Sequence, residues 1–192
     1  MLEIRFHGRG GQGTVIAAVM LAKAFFKVGY QVQSFPVFGV ERRGAPVEAY
    51  IRSNKKDILI RTNVYTPDHV VVQDRTLFQS IDVTGGLKEG AWILINSPTT
   101  PSDVHRFAGF RLALTDANAI ALNHHLGTRT HPTVNTSMIG AFARLLETPY
   151  MTALAEAIRE EFPGDADANV AAAEDAYNEV QRVGMIGNES VS

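Results

Sequence analysis

Residues 2–13 read Leu-Glu-Ile-Arg-Phe-His-Gly-Arg-Gly-Gly-Gln-Gly, and this stretch decides the fold. Apolar and polar side chains alternate from Leu2 to Phe6, as in a half-buried β-strand. The glycines at positions 8, 10 and 13 then satisfy the pattern G-x-G-x-x-G, and an apolar helical run follows from Thr14 to about Val28. A strand, a glycine-rich turn and a helix in this order are typical of α/β folds that bind phosphate groups.

Each glycine of the turn has an expected role. Gly8 permits the tight turn, Gly10 lets the backbone approach a phosphate, and Gly13 lets the helix pack close to the strand. Exposed amides at the helix start would then attract an anion. The alternative is that the glycines only allow the first helix to pack against the sheet, with no ligand bound.

The rest of the chain continues the alternation of strands and helices. Strands are predicted at Gln31–Phe38, Val47–Arg52, Ile58–Arg61 (after a hairpin turn), His69–Gln73, Ala91–Asn96 and Phe110–Leu114. Helices are predicted at Asp74–Ile81, at Asp116–Leu126, at Asn135–Leu146, from Thr148 with Pro149 in its first position, and at Asp165–Val183.

This order predicts an α/β fold with a doubly wound, mostly parallel (mixed) sheet, a Rossmann-like single domain over residues 1–192 with extra C-terminal helices. The second and third strands are joined too briefly for a helical crossover, which favours antiparallel pairing between them. The tail from Gly184 to Ser192 is expected to be loose.

Composition limits the function classes. The formal charge of -2 over 192 residues gives no overall basic field, so neither nucleic acid nor an anionic membrane is an expected partner. The absence of cysteine excludes disulfides, thiol catalysis and any iron–sulfur cluster held by this chain alone. No apolar run reaches the roughly 18 residues of a membrane span, and no secretory signal pattern is present, so a cytoplasmic location is expected.

An ordinary NAD site requires an acidic residue at the end of the second strand, about 20 residues after the turn, to bind the adenine ribose. That strand instead ends in Gln-Ser-Phe-Pro at positions 33–36. The first acidic residue after the turn is Glu41, which lies too far along and is followed at once by Arg42 and Arg43. The sequence therefore disfavours conventional dinucleotide binding.

Arg42 and Arg43 lie in a loop that follows the second strand, where open α/β sheets bind ligands. A guanidinium group suits phosphate because two of its donors can bind two oxygens. From the residues alone, phosphate binding and an exposed or intersubunit salt-bridge loop are equally supported.

Three segments of this chain resemble a known family. They are Arg5–Gly13, Phe38–Pro46 (Phe-Gly-Val-Glu-Arg-Arg-Gly-Ala-Pro) and Asn135–Ala141 (Asn-Thr-Ser-Met-Ile-Gly-Ala). Their order and spacing are similar to those of the gamma subunit of pyruvate and related 2-oxoacid:ferredoxin oxidoreductases. The resemblance implies an enzyme that decarboxylates a 2-oxoacid on thiamine diphosphate, passes electrons through iron–sulfur clusters and transfers the acyl group to coenzyme A.

The resemblance also implies a division of labour. Alpha, beta and ferredoxin-like delta-type subunits would hold thiamine diphosphate, magnesium and the clusters, and ferredoxin or another acceptor would be reached indirectly. The gamma chain, inactive in isolation, would share the coenzyme A site. Arg42 and Arg43 would bind the phosphates with Glu41 orienting them. The turn residues would line the same crevice, and they are Gly8, Gly10, Gly11, Gln12 and Gly13.

Several alternatives stay open at this stage. The turn would contact coenzyme A, thiamine diphosphate or only a partner subunit. A stand-alone NAD(P)-binding oxidoreductase and a noncatalytic scaffold are the competing functions. No catalytic residue is assigned. No metal ligand is assigned either, because His124, His125 and His131 lack the helical spacing of a metal-binding pair. His7 beside the turn is a functional candidate, although a histidine satisfied by backbone groups is the more common outcome.

Overall fold

A computed structural model describes residues 1–37 and 44–187 of the chain. The strands are β1 (Leu2–Arg9), β2 (Gln31–Val37), β3 (Pro46–Asn54), β4 (His69–Val72), β5 (Trp92–Asn96), β6 (Arg111–Thr115), β7 (Gly127–Thr128), β8 (His131–Pro132) and β9 (Gln181–Met185). The α-helices are α1 (Thr14–Lys27), α2 (Ala117–Asn123), α3 (Asn135–Leu146), α4 (Met151–Glu161) and α5 (Ala166–Glu179). Two short 3-10 helices lie at Arg75–Gln79 and Val104–Phe107.

Seven of the strands form one mixed sheet in the order β2-β3-β1-β4-β5-β6-β9. Neighbours among β1, β4, β5 and β6 pair in parallel, whereas β3 is antiparallel to both β1 and β2, and β9 is antiparallel to β6. β2 therefore runs in the same direction as β1. The predicted α/β fold with a mostly parallel, mixed sheet is confirmed, as is the antiparallel link between the second and third strands.

Successive side chains along each strand point to opposite faces of the sheet, so the hydrophobic core consists of two clusters, one on each face. Val71 of β4 faces a cluster that contains side chains from all five α-helices, whereas Val70 and Val72 face the opposite side. There the cover consists of loops and the two 3-10 helices, with Phe107 fully buried. The three consecutive valines are thus buried on both faces of the sheet, as the sequence predicted.

The carboxyl ends of β1, β4, β5 and β6 meet at one edge of the sheet. The glycine-rich turn follows β1 there, Gln73 follows β4, Ser97 follows β5 and Asp116 follows β6. Ligands of open α/β sheets bind outside this edge. Among the helices of the described ranges, none is long and apolar enough to cross a membrane.

The predicted strand at Ile58–Arg61 is wrong. β3 lies between β1 and β2, so both of its edges are already paired and a hairpin partner has no place. The segment runs over the surface instead, with Leu59 88% exposed, and the Ile58 carbonyl accepts a hydrogen bond from Nε2 of Gln33.

The C-terminal boundaries also differ from the prediction. α4 begins at Met151 rather than at Pro149, and α5 ends at Glu179 because Val180 leaves helical geometry, with φ -55° and ψ 127°. The expected loose tail from Gly184 is wrong for residues 184–186, because β9 pairs with β6 and the Ile186 amide donates to the carbonyl of Phe110 at 2.9 Å. Residues 188–192 lie outside the described part of the chain.

Candidate functional site

Gly8 and Gly13 allow β1 and α1 to lie close together. A Cβ on Gly8 would overlap Oγ1 of Thr14 and lie 2.7 Å from Oε1 of Gln73. Gly13 precedes α1 with φ 71°, and a Cβ there would lie 2.7 Å from Nδ2 of Asn135. Gly8 thus takes the packing role that the sequence assigned to Gly13. Gly13 supplies the left-handed backbone at the helix start.

A network of side chains fixes the shape of the turn. Oε1 of Gln12 accepts from the Arg9 amide at 2.8 Å, and Nε2 of Gln12 donates to Oδ2 of Asp74 at 3.0 Å. Nε of Arg9 donates to the same Asp74 oxygen at 3.1 Å, and Nη1 of Arg9 donates to the Gly44 carbonyl at 3.0 Å. Both ends of the Gln12 amide are thus bonded within the protein, so this side chain braces the turn.

Asp74 is held as a carboxylate at the centre of this network. Burial opposes its ionisation, but hydrogen bonds from the Thr76 hydroxyl, the Thr76 amide and Gln12, together with the Arg9 charge, outweigh burial and lower the pKa of Asp74. The same carboxylate caps the 3-10 helix that starts at Arg75, as the sequence predicted for this position. Asp74 therefore ties the turn after β1 to the end of β4.

The backbone amides of the turn differ in what they can offer a ligand. The Gly10 amide donates to the Ala45 carbonyl at 2.8 Å, and the Gln12 amide donates to the Arg9 carbonyl at 3.0 Å. Within residues 1–37 and 44–187, the amides of Gly11, Gly13 and Thr14 have no hydrogen-bond acceptor. The amides at the start of α1, unlike those of Gly10 and Gln12, are therefore not used by other described residues, which is the arrangement that an anion site at a helix start requires.

Two cavities flank the turn, and residues 9–12 line both. The polar cavity has a volume of about 420 Å³ and is completed by Gly44, Asn118 and residues 130–134. The apolar cavity has a volume of about 450 Å³, and its other walls are Gly13, Thr14, Val15, Ile16, Val47, Thr133, Asn135 and Phe162. The turn is therefore a ridge between a polar and an apolar depression at the carboxyl edge of the sheet.

A larger cavity of about 500 Å³ lies at the opposite edge of the sheet, between Lys55, His69 and Arg111. It contains none of the predicted site residues. The pKa of His69 there is lowered to about 4, mainly by burial, and its Nδ1 accepts a hydrogen bond from the Trp92 amide at 3.1 Å. His69 thus has a structural role in joining β4 to β5.

Sequence reasoning missed a chain of polar residues behind the polar cavity. Oγ1 of Thr14 donates to Oε1 of Gln73 at 2.6 Å, and the Gln73 carbonyl accepts from Nδ2 of Asn96 at 3.0 Å. Nδ2 of Asn96 also donates to Oδ1 of Asn118 at 3.3 Å. Gln73 directly follows the parallel strand β4 and Asn96 ends the parallel strand β5, and these positions were the signal that could have found them.

His7 is buried on the sheet face opposite the helices, with a side chain 1% exposed and Nδ1 3.4 Å from Oε1 of Glu48. Burial, and then the neighbouring Arg5 charge, lower the pKa of His7 to about 3. Neither ring nitrogen makes a hydrogen bond within the described residues. The expectation of a backbone-satisfied histidine is therefore wrong, and His7 is a neutral core residue beneath the turn.

The predicted site residues are only partly brought together. The five from Gly8 to Gly13 lie at the turn, while Glu41, Arg42 and Arg43 lie outside the described residues. His124, which the sequence did not assign to a site, pairs with Asp175 of α5, with its Nε2 2.6 Å from Oδ2 of that residue. Across residues 1–37 and 44–187, no cluster of three His, Cys, Asp or Glu side chains has a geometry that could hold a metal ion.

The fold and the turn define a class: an α/β protein with a G-x-G-x-x-G turn at the carboxyl edge of its sheet. Residues 3–179 match the family model described as pyruvate ferredoxin/flavodoxin oxidoreductase. The chain belongs to this family, and the prediction of a gamma-type subunit of a 2-oxoacid oxidoreductase is confirmed.

Individual relatives agree with this assignment. The chain is 48% identical over 183 residues to the common gamma subunit of the pyruvate/ketoisovalerate oxidoreductases of Thermococcus kodakarensis, covering 93% of this chain and 96% of the relative. The crystal structure of pyruvate oxidoreductase subunit PORC from Thermotoga maritima superposes with a TM-score of 0.80 at 35% identity, covering 94% of this chain and 97% of that one.

A more distant structure shares the fold alone. The 2-oxoglutarate:ferredoxin oxidoreductase of Magnetococcus marinus, solved with 2-oxoglutarate, coenzyme A and succinyl-CoA bound, has a TM-score of 0.71 at 19% identity. The similarity covers 93% of this chain and 30% of that one. The same fold therefore occurs as one part of a larger oxidoreductase chain.

Proposed function

We propose that this chain contributes a coenzyme A site to a multi-subunit enzyme that converts a 2-oxoacid to an acyl-CoA. The observation that carries the proposal is the ridge at Gly11 to Gly13, where helix-start amides lie between a polar and an apolar cavity. Coenzyme A has a phosphate-rich end and a long, less polar arm, and such a ligand suits two adjoining depressions of unlike lining.

Arg42 and Arg43 are proposed as the phosphate-binding side chains, with Glu41 orienting their guanidinium groups. In the sequence they directly precede Gly44, which lines the polar cavity and accepts a hydrogen bond from Arg9. Paired arginines beside amides that make no hydrogen bond to the described residues would provide the positive potential that a phosphate requires. Gly10 and Gln12 would shape the crevice, and Gly11 and Gly13 would supply its backbone donors.

Thiamine diphosphate, magnesium and iron–sulfur clusters belong, in this proposal, to alpha, beta and ferredoxin-like delta-type partner subunits. Support comes from the absence of cysteine in this chain, since cluster ligands have to be supplied elsewhere. Further support is the name of the Thermococcus kodakarensis relative, a subunit common to two oxidoreductases. The isolated chain would be inactive, and a cytoplasmic location for the complex stays a prediction.

The test is to purify the complex through this chain, identify its partners and titrate it with coenzyme A. A thiamine-binding subunit and a cluster-bearing subunit are expected to copurify. Changing Arg42 and Arg43 to Ala should weaken coenzyme A binding at least about tenfold, because each lost charge-assisted contact costs roughly 1.5 to 3 kcal/mol. Lys55→Ala and Lys56→Ala, on an exposed turn after β3, provide a charge-matched control. Unchanged affinity for coenzyme A in the arginine variant would contradict the phosphate assignment and favour a scaffold role for the chain.

A further inference from the structure

The polar cavity has a second wall, opposite the turn, that the proposed function leaves unassigned. This wall consists of Asn118, at the start of α2, and of residues 130–134, which include part of the β7–β8 hairpin. Both elements lie beyond the ends of β5 and β6 in the chain and reach back toward the turn. Hydrogen bonds to neighbouring residues fix the orientation of the polar side chains on this wall.

The Asn96 side chain has only one possible orientation. The Ala117 amide donates to Oδ1 of Asn96 at 3.1 Å, and Nδ2 of Asn96 donates to the Gln73 carbonyl at 3.0 Å. A backbone N–H can only donate and a carbonyl can only accept, so these two contacts distinguish the oxygen of the Asn96 amide from its nitrogen. The result is a fixed donor, Nδ2, within reach of Asn118.

Asn118 is oriented in turn by Asn96. Because Nδ2 of Asn96 donates to Oδ1 of Asn118 at 3.3 Å, the carbonyl end of the Asn118 amide is occupied. The Asn118 nitrogen, with two hydrogens, is the end left for a ligand. Asn118 is itself exposed and lines the polar cavity, so it is an oriented hydrogen-bond donor on the wall that faces Gly11.

The hairpin presents His131 in a similarly constrained way. Gly127 has φ 81°, and a Cβ there would lie 2.7 Å from the Thr133 amide, so the chain turns too tightly for any other residue. The His131 amide donates to Oγ1 of Thr128 at 3.2 Å, and Nδ1 of His131 lies 3.0 Å from Oγ1 of Thr130. Nε2 is therefore the ring nitrogen that His131 can offer to a ligand.

The charges and polar groups of the cavity favour an anion. Its described lining residues supply the Gly11 amide, the Asn118 amide, the Thr130 hydroxyl and the His131 ring, and they include no carboxylate. Among these described residues a cation would find no carboxylate, whereas a phosphate oxygen can accept from donors on both walls at once.

We propose that Asn118 and His131 bind a phosphate group of coenzyme A from the wall opposite the glycine-rich turn. The inference rests on the proposed function, because it names the ligand of the same site, and it adds two residues that lie about 75 to 90 positions beyond the arginine pair in sequence. The phosphate end occupies the polar cavity. The arm of the ligand then crosses the ridge toward Val15 and Phe162 in the apolar cavity.

Asn118→Asp is the sharpest test, carried out on the purified complex by calorimetric titration with coenzyme A and with adenosine 3′,5′-bisphosphate. The aspartate keeps an oxygen for Asn96 but replaces the donor nitrogen with a charge that repels phosphate. Both compounds should bind at least about tenfold more weakly. Asn123→Asp is the matched control, because it makes the same charge change at an exposed position of α2 outside the cavity, and its affinities should stay within about twofold. His131→Gln changes an exposed residue and should lower the affinity for both compounds severalfold. It tests the same wall if the Asn118 variant fails to fold.

The outcomes separate this inference from the proposed function. Equal affinity for coenzyme A in the Asn118 and Asn123 variants, with the Arg42 and Arg43 variants impaired, would overturn the second wall alone. Loss of thiamine diphosphate affinity in place of coenzyme A affinity would overturn it as well. A wild-type complex that fails to bind coenzyme A would instead overturn the proposed function.

Discussion

Gln12 and Asp74 join the glycine-rich turn to the end of β4, with Nε2 of Gln12 donating to Oδ2 of Asp74 at 3.0 Å. The two residues are 62 positions apart in sequence, and Arg9 reaches the same carboxylate oxygen at 3.1 Å. The conformation of the turn thus depends on Asp74, which lies in the loop after β4, the parallel neighbour of β1. A ligand that binds at Gly11 to Gly13 meets a ridge that is already formed.

Asp74→Ala should lower the free energy of unfolding by about 2 kcal/mol, because it removes both a helix cap and the hydrogen bonds to Arg9 and Gln12. Asp57→Ala is the control, since Asp57 is exposed in a surface segment, and its effect should stay within about 0.5 kcal/mol. Urea unfolding followed by circular dichroism measures both. Equal stability of the two variants would show that the network is not a brace.

Gly8→Ala should destabilise the protein by about 1 to 3 kcal/mol, because the new methyl group would overlap Oγ1 of Thr14 beneath the turn. Gly164→Ala is the matched change at a site where a Cβ would meet no atom within 4 Å. Thermal unfolding compares the two. A Gly8 variant as stable as the Gly164 variant would contradict the close packing of β1 on α1.

His7 predicts a pH dependence of stability. Its pKa is lowered from 6.5 to about 3 by burial and by Arg5, so between these values the unfolded chain binds more protons than the folded one. The free energy of unfolding therefore rises with pH across this window. The contribution of His7 to it is fully present above about pH 6.5 and is lost progressively as the pH falls below that value. His7→Gln should flatten that slope by at most about 1.4 kcal/mol per pH unit.

Unfolding titrations at a series of pH values between about 4 and 7 measure the slope for the wild type and the variant. Part of the slope should persist in the variant, because burial lowers the pKa of His69 to about 4 as well. Identical slopes in the two proteins would contradict a buried, neutral His7.

Removal of residues 181–192 should destabilise the chain by several kcal/mol, because it removes β9 and uncovers the edge of β6 and the cluster against which Ile186 packs. Removal of residues 188–192 alone leaves β9 and all of its described contacts in place, and it should have a small effect. Chemical unfolding distinguishes the two. Equal stability of both truncated chains would support the loose tail that the sequence suggested.

The central part of the fold could be predicted because its signals are local. The helix at Asn135–Leu146 was placed at its observed bounds by apolar spacing, and the buried strands β4 and β5 by runs of Val and Ile. β9 escaped prediction because its side chains are mostly exposed and its pairing with β6 is long-range. The false strand at Ile58–Arg61 has strand-like composition, and only the sheet order excludes it.

The sequence predicted where the glycine-rich turn lies, but it did not predict the hydrogen bonds that the turn makes. The glycine spacing identified the turn, but the hydrogen bonds of Gly10 and Gln12 inside the protein depend on Ala45 and Asp74, which no local pattern connects to them. The orientation of the Asn118 amide likewise depends on Asn96, 22 positions earlier, and on the Gln73 carbonyl. Contacts between the ends of parallel strands are set by the sheet, and sequence spacing does not report them.

Hydrogen exchange of the assembled complex, measured with and without coenzyme A, can locate the coenzyme A site. We expect coenzyme A to slow exchange in peptides that cover residues 9–16, and also in those that cover 127–134, because their amides or the segments that carry them contact the ligand. Thiamine diphosphate alone should leave both regions unchanged. Protection confined to other subunits, in a complex that binds coenzyme A, would contradict a coenzyme A site on this chain.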